Sequence, residues 1–368
     1  MGLGNAKASR RSAAWRFFTH TFSLGSLLVL AFMFLPSTAA AQTTSPFNIA
    51  NCGVNIPITG DGSSYTVTGQ ITASTTNAPC ITIDGSGVTL NMTGGIINMV
   101  SAGHGAVAIS VSPNATLVTI ENGTIYTDYT TSLNNTYAAI EASQTSELDI
   151  NGVNIQNGAA PPATPTTNPE CASVERTLVN YGTGIFLNNV TGATISGNYA
   201  FCYQYGIYVQ GSAVPSSGQG AISGNTLVND AYTMSLGTPG TKSAGLVLDG
   251  SSGWTVNTNT VNYNGSPDAS LTCIDLSTGQ SVSCSFGLQV IGTSSGNIIS
   301  MNTVGHDFTG GIYAGPDVSQ NSFTQNILDD EPFAGLFSSA PNKLRNKWSG
   351  NTCTNAPPGG NVPRKACG

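Results

Sequence analysis

The chain has 368 residues, of which only 8% are charged and 39% are hydrophobic, and its formal net charge at pH 7 is −7. So little charge is compatible with disorder, but the regular spacing of Ile, Val and Leu argues for a folded chain. The acidic balance excludes nucleic acid and anionic membrane surfaces as partners, because both require a basic patch.

The N-terminus, residues 1–41, is typical of a secretory signal peptide. A basic start is followed by the apolar stretch 24–35 and by small residues of A-x-A form before Gln42, where we expect cleavage. The alternative is a retained membrane anchor, but the stretch is shorter than the roughly 20 residues that a spanning helix needs. Removal of residues 1–41 takes away four of the eleven Lys and Arg and none of the eighteen Asp and Glu, so the mature chain has a formal net charge of −11. We expect a secreted or cell-envelope protein.

The cysteines all lie in the mature chain and are even in number, which in an exported protein indicates disulfides. None belongs to a C-x-x-C pair and the mature chain has only two histidines, so a Cys/His zinc site is not expected. The eight residues are Cys52, Cys80, Cys171, Cys202, Cys273, Cys284, Cys353 and Cys367.

A two-part repeat is the strongest pattern in the chain. Its first part is a glycine followed by an apolar residue, at Gly184, Gly206, Gly245, Gly287, Gly311 and Gly335. Its second part is an apolar residue followed three positions later by asparagine: Ile195…Asn198, Ile222…Asn225, Val256…Asn259, Ile299…Asn302, Val318…Asn321 and Trp348…Asn351. Degenerate forms of the repeat begin at Ile81.

Each repeated stretch is short and alternates apolar with polar residues, which is the period of a half-buried β-strand. Such strands are typical of a coil that stacks on its neighbours, with parallel strands about 4.8 Å apart and alternate side chains inside. The repeated Asn is expected to form a ladder of stacked amides in a tight turn. The alternative is that Asn is only a turn former.

The Gly-Ile…Ile-Ser-Gly-Asn-Thr pattern resembles the repeat of pectate-lyase-like and carbohydrate-binding β-helix proteins. The resemblance covers roughly residues 77–351 and implies an all-β fold, a single right-handed parallel β-helix with loop insertions at one corner. It implies little about activity, because this architecture carries lyases, hydrolases, epimerases, adhesins and phage spikes. Residues 42–76 would form an N-terminal cap and residues 352–368 a disulfide-closed C-terminal tail.

Stacked coils bring cysteines that are neighbours in the sequence close together. We therefore expect four nearest-neighbour disulfides, one of which ties the cap to the first coil and one of which closes the tail. The expected pairs are Cys52–Cys80, Cys171–Cys202, Cys273–Cys284 and Cys353–Cys367.

Coil length varies at one place in the repeat. The stretch from the Gly-apolar strand to the Asn has a similar length in most coils, whereas the return to the next Gly-apolar strand is short at 198–206 and long at 225–245 and 259–287. Insertions at one corner of a solenoid form a wall along one side, where solenoids commonly bind ligands. The alternative is that this corner merely tolerates insertions.

The same corner contains most of the side chains that could take part in catalysis or ligand binding. A carboxylate cluster beside a histidine suits general acid–base catalysis on a glycan, or the binding of Ca²⁺. No other cofactor is expected. The alternative is a solvated corner without a function. The candidate catalytic residues are Asp307, Asp330, Glu331 and His306, and the candidate binding residues are Asp230, Tyr203, Tyr263 and Asp329.

No enzyme family's catalytic set can be placed on the chain. Relative to polygalacturonase-like enzymes, Gly103-His104-Gly105 comes too early and Asp329-Asp330 too late. Tyr205-Gly206-Ile207 lacks the Asp and His that follow it in mannuronan-epimerase-like proteins. Two interpretations stay open: an exported protein that binds extracellular polysaccharide, with cleavage undecided, or a non-catalytic adhesin-like or structural envelope protein.

Overall fold

A computed structural model of the chain describes residues 46–57, 61–73, 78–99, 107–127, 138–157, 182–211, 220–228, 244–264, 272–274, 281–283, 286–307, 310–331, 334–355 and 358–368. The expected signal segment 1–41 lies outside these residues, as do Asp230, Cys171 and Cys284. Thr44–Gly368 forms one compact unit. No helix within the described ranges is long and apolar enough to cross a bilayer.

Nearly all strands belong to three long parallel sheets. Sheet 1 contains β2 (Val54–Ile56), β5 (Ile81–Ile83), β8 (Ile109–Val111), β11 (Ala138–Ser143), β14 (Thr183–Asn188), β17 (Tyr205–Gln210), β20 (Ala244–Asp249), β25 (Phe286–Ile291), β28 (Gly310–Ala314), β31 (Ala334–Ser338) and β34 (Gly359–Gly360). Sheet 2 contains β1 (Phe47–Asn48), β3 (Ser64–Thr66), β6 (Thr89–Asn91), β9 (Thr116–Glu121), β12 (Ser146–Asn151), β15 (Thr194–Ser196), β18 (Ala221–Ser223), β21 (Thr255–Asn257), β26 (Ile298–Ser300), β29 (Ser322–Thr324) and β32 (Lys347–Ser349).

Sheet 3 contains β4 (Gln70–Thr72), β7 (Ile96–Asn98), β10 (Thr124–Thr127), β13 (Asn154–Asn157), β16 (Tyr199–Phe201), β19 (Thr226–Val228), β22 (Thr260–Asn262), β27 (Thr303–Gly305), β30 (Ile327–Asp329) and β33 (Thr352–Thr354). A separate antiparallel hairpin joins β23 (Thr272–Ile274) to β24 (Ser281–Ser283). Two short 3₁₀ helices, Asn342–Leu344 and Arg364–Ala366, lie near the C-terminus.

The chain passes from sheet 1 to sheet 2 to sheet 3 and then returns to sheet 1 in the next coil. Equivalent residues are in register, so that the apolar residue after each repeat glycine stacks on its counterpart; the stack runs through Ile185, Ile207, Leu246, Leu288, Ile312 and Leu336. These side chains are fully buried and form the core. Parallel crossovers are right-handed in nearly all proteins. The prediction of a single right-handed parallel β-helix is confirmed.

The turn from sheet 2 to sheet 3 explains the repeated asparagine. From Ser196 onward it consists of two residues, the first with a left-handed main chain and the second a buried Asn. Each Asn Nδ2 donates to a main-chain carbonyl of the preceding coil, and each except the last, Asn351, also donates to the Oδ1 of the Asn in the next coil. For Asn259 these two bonds measure 2.9 Å each. The ladder contains Asn198, Asn225, Asn259, Asn302, Asn326 and Asn351.

Asn321, which the repeat placed in this ladder, belongs to a second one. The Asn321 amide lies in the connection from sheet 1 to sheet 2, where Asn297 Nδ2 donates to its Oδ1 at 2.9 Å and its own Nδ2 donates to Asn346. Asn326 takes the expected place in the first ladder. Two corners of the β-helix therefore carry amide ladders.

Long connections leave mainly from the corner between sheet 3 and sheet 1, as expected from the sequence. After Asn157 the next strand residue that the structure describes is Thr183, and after Asn262 the chain returns to sheet 1 at Phe286. One longer connection, from Gln210 to Ala221, leaves instead from the corner between sheets 1 and 2.

Both ends of the β-helix differ in extent from the expected boundaries. Strands β1 to β4 already belong to the three sheets, so the region expected to be an N-terminal cap contributes strands. At the other end, β33 and β34 extend sheets 3 and 1 into the expected tail, whose Val362 and Ala366 are buried against the core.

Two predicted disulfides, Cys52–Cys80 and Cys353–Cys367, are present. Cys202 is also disulfide-bonded. Its predicted partner Cys171, and the predicted partner of Cys273, lie outside the described residues, so those two pairings stay predictions.

Candidate functional site

The corner between sheet 3 and sheet 1 carries an exposed row of predicted site residues. One position after each of three sheet 3 strands, the main chain is left-handed at Tyr263, His306 and Asp330, with φ of 58°, 59° and 54°. The Tyr263 ring stacks on the His306 ring, with centroids 4.9 Å apart. His306 Nδ1 lies 3.5 Å from Asp330 Oδ2, and both side chains are exposed. Asp329, directly before Asp330, is exposed as well.

The next residue in each coil points into the β-helix. Asn264, Asp307 and Glu331 are all buried, and the Asn264 N–H donates to Asp307 Oδ1 at 2.6 Å. A Cβ on Gly287 would overlap Asp307 Oδ2, and one on Gly311 would lie 3.3 Å from Glu331 Oε1. A side chain on the repeat glycine would therefore clash with the buried corner residue of the same coil, which explains why glycine occupies this position.

Burial favours the protonated form of both carboxyl groups of the buried pair. Burial raises the pKa of Asp307 well above its ordinary value, and the negative charge of Glu331 raises it further. Burial also raises the pKa of Glu331, to about 9. As carboxylates, the Asp307 Oδ2 atom and both Glu331 oxygens would have no hydrogen-bond partner. Protonation avoids the high cost of an unpaired buried charge at these positions.

The residues of the expected catalytic cluster therefore divide into an outward-facing row and a buried pair, and their role in catalysis stays a prediction. A single left-handed residue after the strand reverses the inward–outward alternation, so that His306 and Asp307 point to opposite sides of the wall. Asp330 and Glu331 are separated in the same way. Side chains inside the wall do not contact a polymer outside it.

Tyr203, expected on a sugar-stacking face, is also inside the β-helix. It follows the left-handed Cys202 and is fully buried. Its Oη lies 2.8 Å from Thr127 Oγ1. Asp230, the remaining candidate, lies outside the described residues.

A metal site receives no support from the part of the chain that the structure describes. That part contains no group of three or more His, Cys, Asp or Glu side chains placed to hold an ion. Asp230, which the sequence analysis assigned to this corner, lies outside the described residues, so binding of Ca²⁺ here stays a prediction.

The outer face of sheet 1 presents a second surface, which the sequence analysis missed. Each strand contributes one residue to a middle row, namely the residue between its two inward apolar residues. The residue two positions further along each strand belongs to a side row. The middle-row side chains of five successive coils, and the side-row side chains of these coils and the next one, are half-buried or exposed. We call the following residues the sheet 1 strip: Thr82, Ser110, Glu141, Phe186 and Tyr208 in the middle row, and Asp84, Ser112, Ser143, Asn188, Gln210 and Asp249 in the side row.

Aromatic rings mark the centre of the sheet 1 strip. The Phe186 and Tyr208 centroids are 5.7 Å apart, and Tyr205 meets Tyr208 edge-on at 4.9 Å. Further along, Tyr313 and Phe337 continue the row but are buried in a cluster with Phe286. The signal that would have found the strip is the outward residue of each Gly-apolar-x-apolar segment, which is aromatic in several repeats.

The acidic groups of the strip are engaged by neighbours. Tyr208 Oη donates to Asp249 Oδ2 at 2.7 Å, and Ser112 Oγ donates to Asp84 Oδ1. Burial and the bond to Asp249 raise the pKa of the Tyr208 phenol. Burial raises the pKa of the half-buried Glu141 carboxyl. The strip therefore offers flat rings beside carboxyl, amide and hydroxyl groups.

Comparisons with known proteins give structural likeness but no close relative. No protein-family model matches the chain, and no curated protein matches it. The structure is similar to the periplasmic alginate epimerase AlgG, with 11% identity, a TM-score of 0.42, and coverage of 80% of this chain and 72% of that one.

A second similar structure is the full-length tailspike protein 2 of the Escherichia coli O157:H7 bacteriophage CAB120. The identity is 11% and the TM-score is 0.30. The aligned region covers 76% of this chain and 33% of the tailspike chain, so this chain spans about a third of the tailspike. Similarity this distant leaves function open. By its own three sheets, the chain is a right-handed parallel β-helix protein.

Proposed function

We propose that this protein binds an extracellular polysaccharide along the sheet 1 strip. The observation that carries the proposal is the row of aromatic rings at Phe186, Tyr205 and Tyr208, flanked by hydrogen-bonding side chains on an accessible sheet face. Aromatic faces pack on apolar ligand surfaces, and Tyr combines such a face with a polar tip. The apolar face of a sugar ring and its hydroxyl groups match this combination.

The dimensions of the strip favour a polymer over a single sugar. The strip crosses six coils, from Thr82 to Asp249. At about 4.8 Å between neighbouring strands, this corresponds to roughly 24 Å along the axis of the β-helix. The long connections from the corner between sheets 3 and 1 leave beside this face, where solenoid insertions commonly contribute to binding.

An extracellular or envelope location is part of the proposal. The disulfides Cys52–Cys80 and Cys353–Cys367 support it, because disulfides persist mainly in oxidising compartments. The proposal covers binding alone. Among the predicted catalytic residues, Asp307 and Glu331 are buried, so they offer no support for cleavage at the surface.

The test compares two aromatic deletions on different faces. Phe186→Ala removes a ring from the sheet 1 strip, whereas Tyr126→Ala removes a half-buried ring from the outer face of sheet 3. On a glycan array and by isothermal titration, Phe186→Ala should weaken binding about tenfold or more, since 1.4 kcal/mol is a factor of ten. Tyr126→Ala should bind like the wild type.

Two outcomes would count against the proposal. Equal losses in Phe186→Ala and Tyr126→Ala would remove the strip as the site. If the wild-type protein binds no glycan, the non-catalytic structural interpretation replaces this one. Thermal melts of both variants separate loss of binding from loss of folding.

A further inference from the structure

The charges on the sheet 1 strip are all of one sign. Its charged side chains are Asp84, Glu141 and Asp249, and none of the strip residues is Lys, Arg or His. The described basic side chains Arg345, Lys347, Arg364 and Lys365 lie in the last coil and the tail. No positive charge on the described strip is therefore placed to pair with an acidic sugar.

The three acidic groups are also poor sites for a cationic ligand. Asp249 already accepts the Tyr208 hydroxyl at 2.7 Å, and Asp84 accepts Ser112 Oγ. Glu141 is half-buried, so a separate cationic group has limited access to its carboxylate. All three carboxylates can still accept hydrogen bonds from neutral hydroxyl groups.

A negatively charged polymer would be repelled by the whole molecule as well as by the strip. The formal net charge of the chain is −7. Charges of one sign lining a surface set up a field that disfavours ligands of the same sign, and the effect weakens as salt screens it.

We propose that the sheet 1 strip takes an uncharged glycan and excludes uronate-containing and sulfated polymers. This inference rests on the proposed function and adds the class of ligand. Phe186 and Tyr208 supply the stacking faces, while Asn188, Gln210 and the engaged carboxyl groups supply hydrogen-bond partners for hydroxyls. Selectivity comes from repulsion of the wrong ligand, which is a common route to specificity.

The experiment measures the affinity of the protein for three classes of glycan probe, by affinity electrophoresis and titration calorimetry. The neutral probes are laminarin, galactomannan and xylan; the anionic probes are alginate and polygalacturonate; the cationic probe is a chitosan oligomer. The wild-type protein should bind at least one neutral probe, with less than twofold change between 20 and 300 mM NaCl. Binding of the anionic probes should be at least tenfold weaker at 20 mM NaCl and should improve with salt.

Charge-neutralising variants test where the discrimination arises. Glu141→Gln should narrow the ratio between neutral and anionic binding several-fold, because one repulsive group leaves the strip. Asp317→Asn removes an exposed negative charge in the connection between β28 and β29, away from the strip, and should leave the ratio unchanged. Equal effects of the two variants would overturn the strip as the source of selectivity.

The outcomes separate this inference from the proposed function. Tight, salt-sensitive binding of alginate or polygalacturonate, or binding of the chitosan oligomer alone, would overturn the uncharged class while leaving glycan binding in place. Absence of binding to all probes would overturn both. Binding to a neutral probe that Phe186→Ala abolishes would support both.

Discussion

At the scale of single residues, Asp307 occupies a position where an amide would satisfy more hydrogen bonds. In the neighbouring coil Asn264 fills the same corner, and its Nδ2 donates to the Leu227 carbonyl of the preceding coil at 3.4 Å. Asp307 Oδ1 accepts the Asn264 N–H as a ladder amide would, but its Oδ2 has no donor unless the group is protonated. The Asp307 carboxyl thus stands where the neighbouring coil has an amide.

We therefore expect Asp307→Asn to stabilise the protein at neutral and alkaline pH. The amide supplies a donor without binding a proton, so the free energy of unfolding at pH 8 should rise by about 1 kcal/mol or more. Asp330→Asn is the matched control, because it makes the same change on an exposed side chain and should shift stability by less than about 0.5 kcal/mol. Urea unfolding at pH 8 measures both, and a destabilised Asp307→Asn would contradict the ladder interpretation.

The same pair gives the wild-type protein a pH dependence of defined sign. Burial raises the pKa of Asp307 and Glu331 above their unfolded-state values, that of Glu331 from 4.5 to about 9. Such groups stabilise the fold fully below about pH 4.5, and this stabilisation is lost as the pH rises through the folded pKa values. The free energy of unfolding should fall by at least about 1.4 kcal/mol between pH 5 and pH 9.

Urea unfolding across that range checks the expectation. Because Glu141 and Asp149 also have raised pKa values, the contribution of the pair is isolated by the double variant Asp307→Asn/Glu331→Gln. The double variant should show a flatter profile than the wild type. A profile that rises with pH, or one that the double variant leaves unchanged, would show that the pair is not protonated in the folded protein.

At the scale of structural elements, the asparagine ladders fix the corners of the β-helix. Asn259 is buried, and its side chain bonds amide or main-chain groups of the two neighbouring coils. Asn259→Ala should lower the free energy of unfolding by about 1–3 kcal/mol, since buried partners lose their bonds. Asn361→Ala, at a partly exposed site in the C-terminal tail, should change it by no more than about 0.5 kcal/mol. Equal melting temperatures would reduce the repeated Asn to a turn former.

The repeat predicted the strands, the stacking and the first ladder, because all three follow from spacing. It misplaced Asn321, since the coil around it contains the apolar-x-x-Asn pattern twice, at Val318…Asn321 and at Phe323…Asn326. Both patterns form ladders in the structure, at different corners. Spacing alone does not distinguish two turns that use the same residue for the same hydrogen bonds.

At the scale of the whole molecule, the sequence predicted which corner holds the acidic residues but not which side of the wall each one faces. The direction depends on the left-handed main chain at Tyr263, His306 and Asp330, and none of these is the glycine that usually marks such a conformation. The sheet 1 strip was missed for a different reason. Charged residues cluster along the sequence at the corner, whereas the strip is assembled from single outward residues of coils far apart in the sequence.

A β-helix is stabilised coil by coil, so its ends should fray independently of each other. The C-terminal tail covers the core with Val362 and Ala366 and is held by the Cys353–Cys367 bond, which closes a loop of sequence separation 14. Loss of a disulfide across such a loop destabilises by about 2–4 kcal/mol. In Cys367→Ser, hydrogen exchange followed by mass spectrometry should therefore show lost protection in β31, β33 and β34, while β14 and β17 stay protected.

Cys52→Ser provides the mirror control for the opposite end. Its bond to Cys80 ties the first sheet 1 strands together, so its loss should expose β2 and β5 to exchange and leave β33 protected. Because each coil of a solenoid contacts only its neighbours, each variant should lose exchange protection only at its own end of the β-helix. A uniform rise in exchange across all strands in either variant would mean instead that the coils unfold as a single cooperative unit, with the end disulfides acting on the whole β-helix.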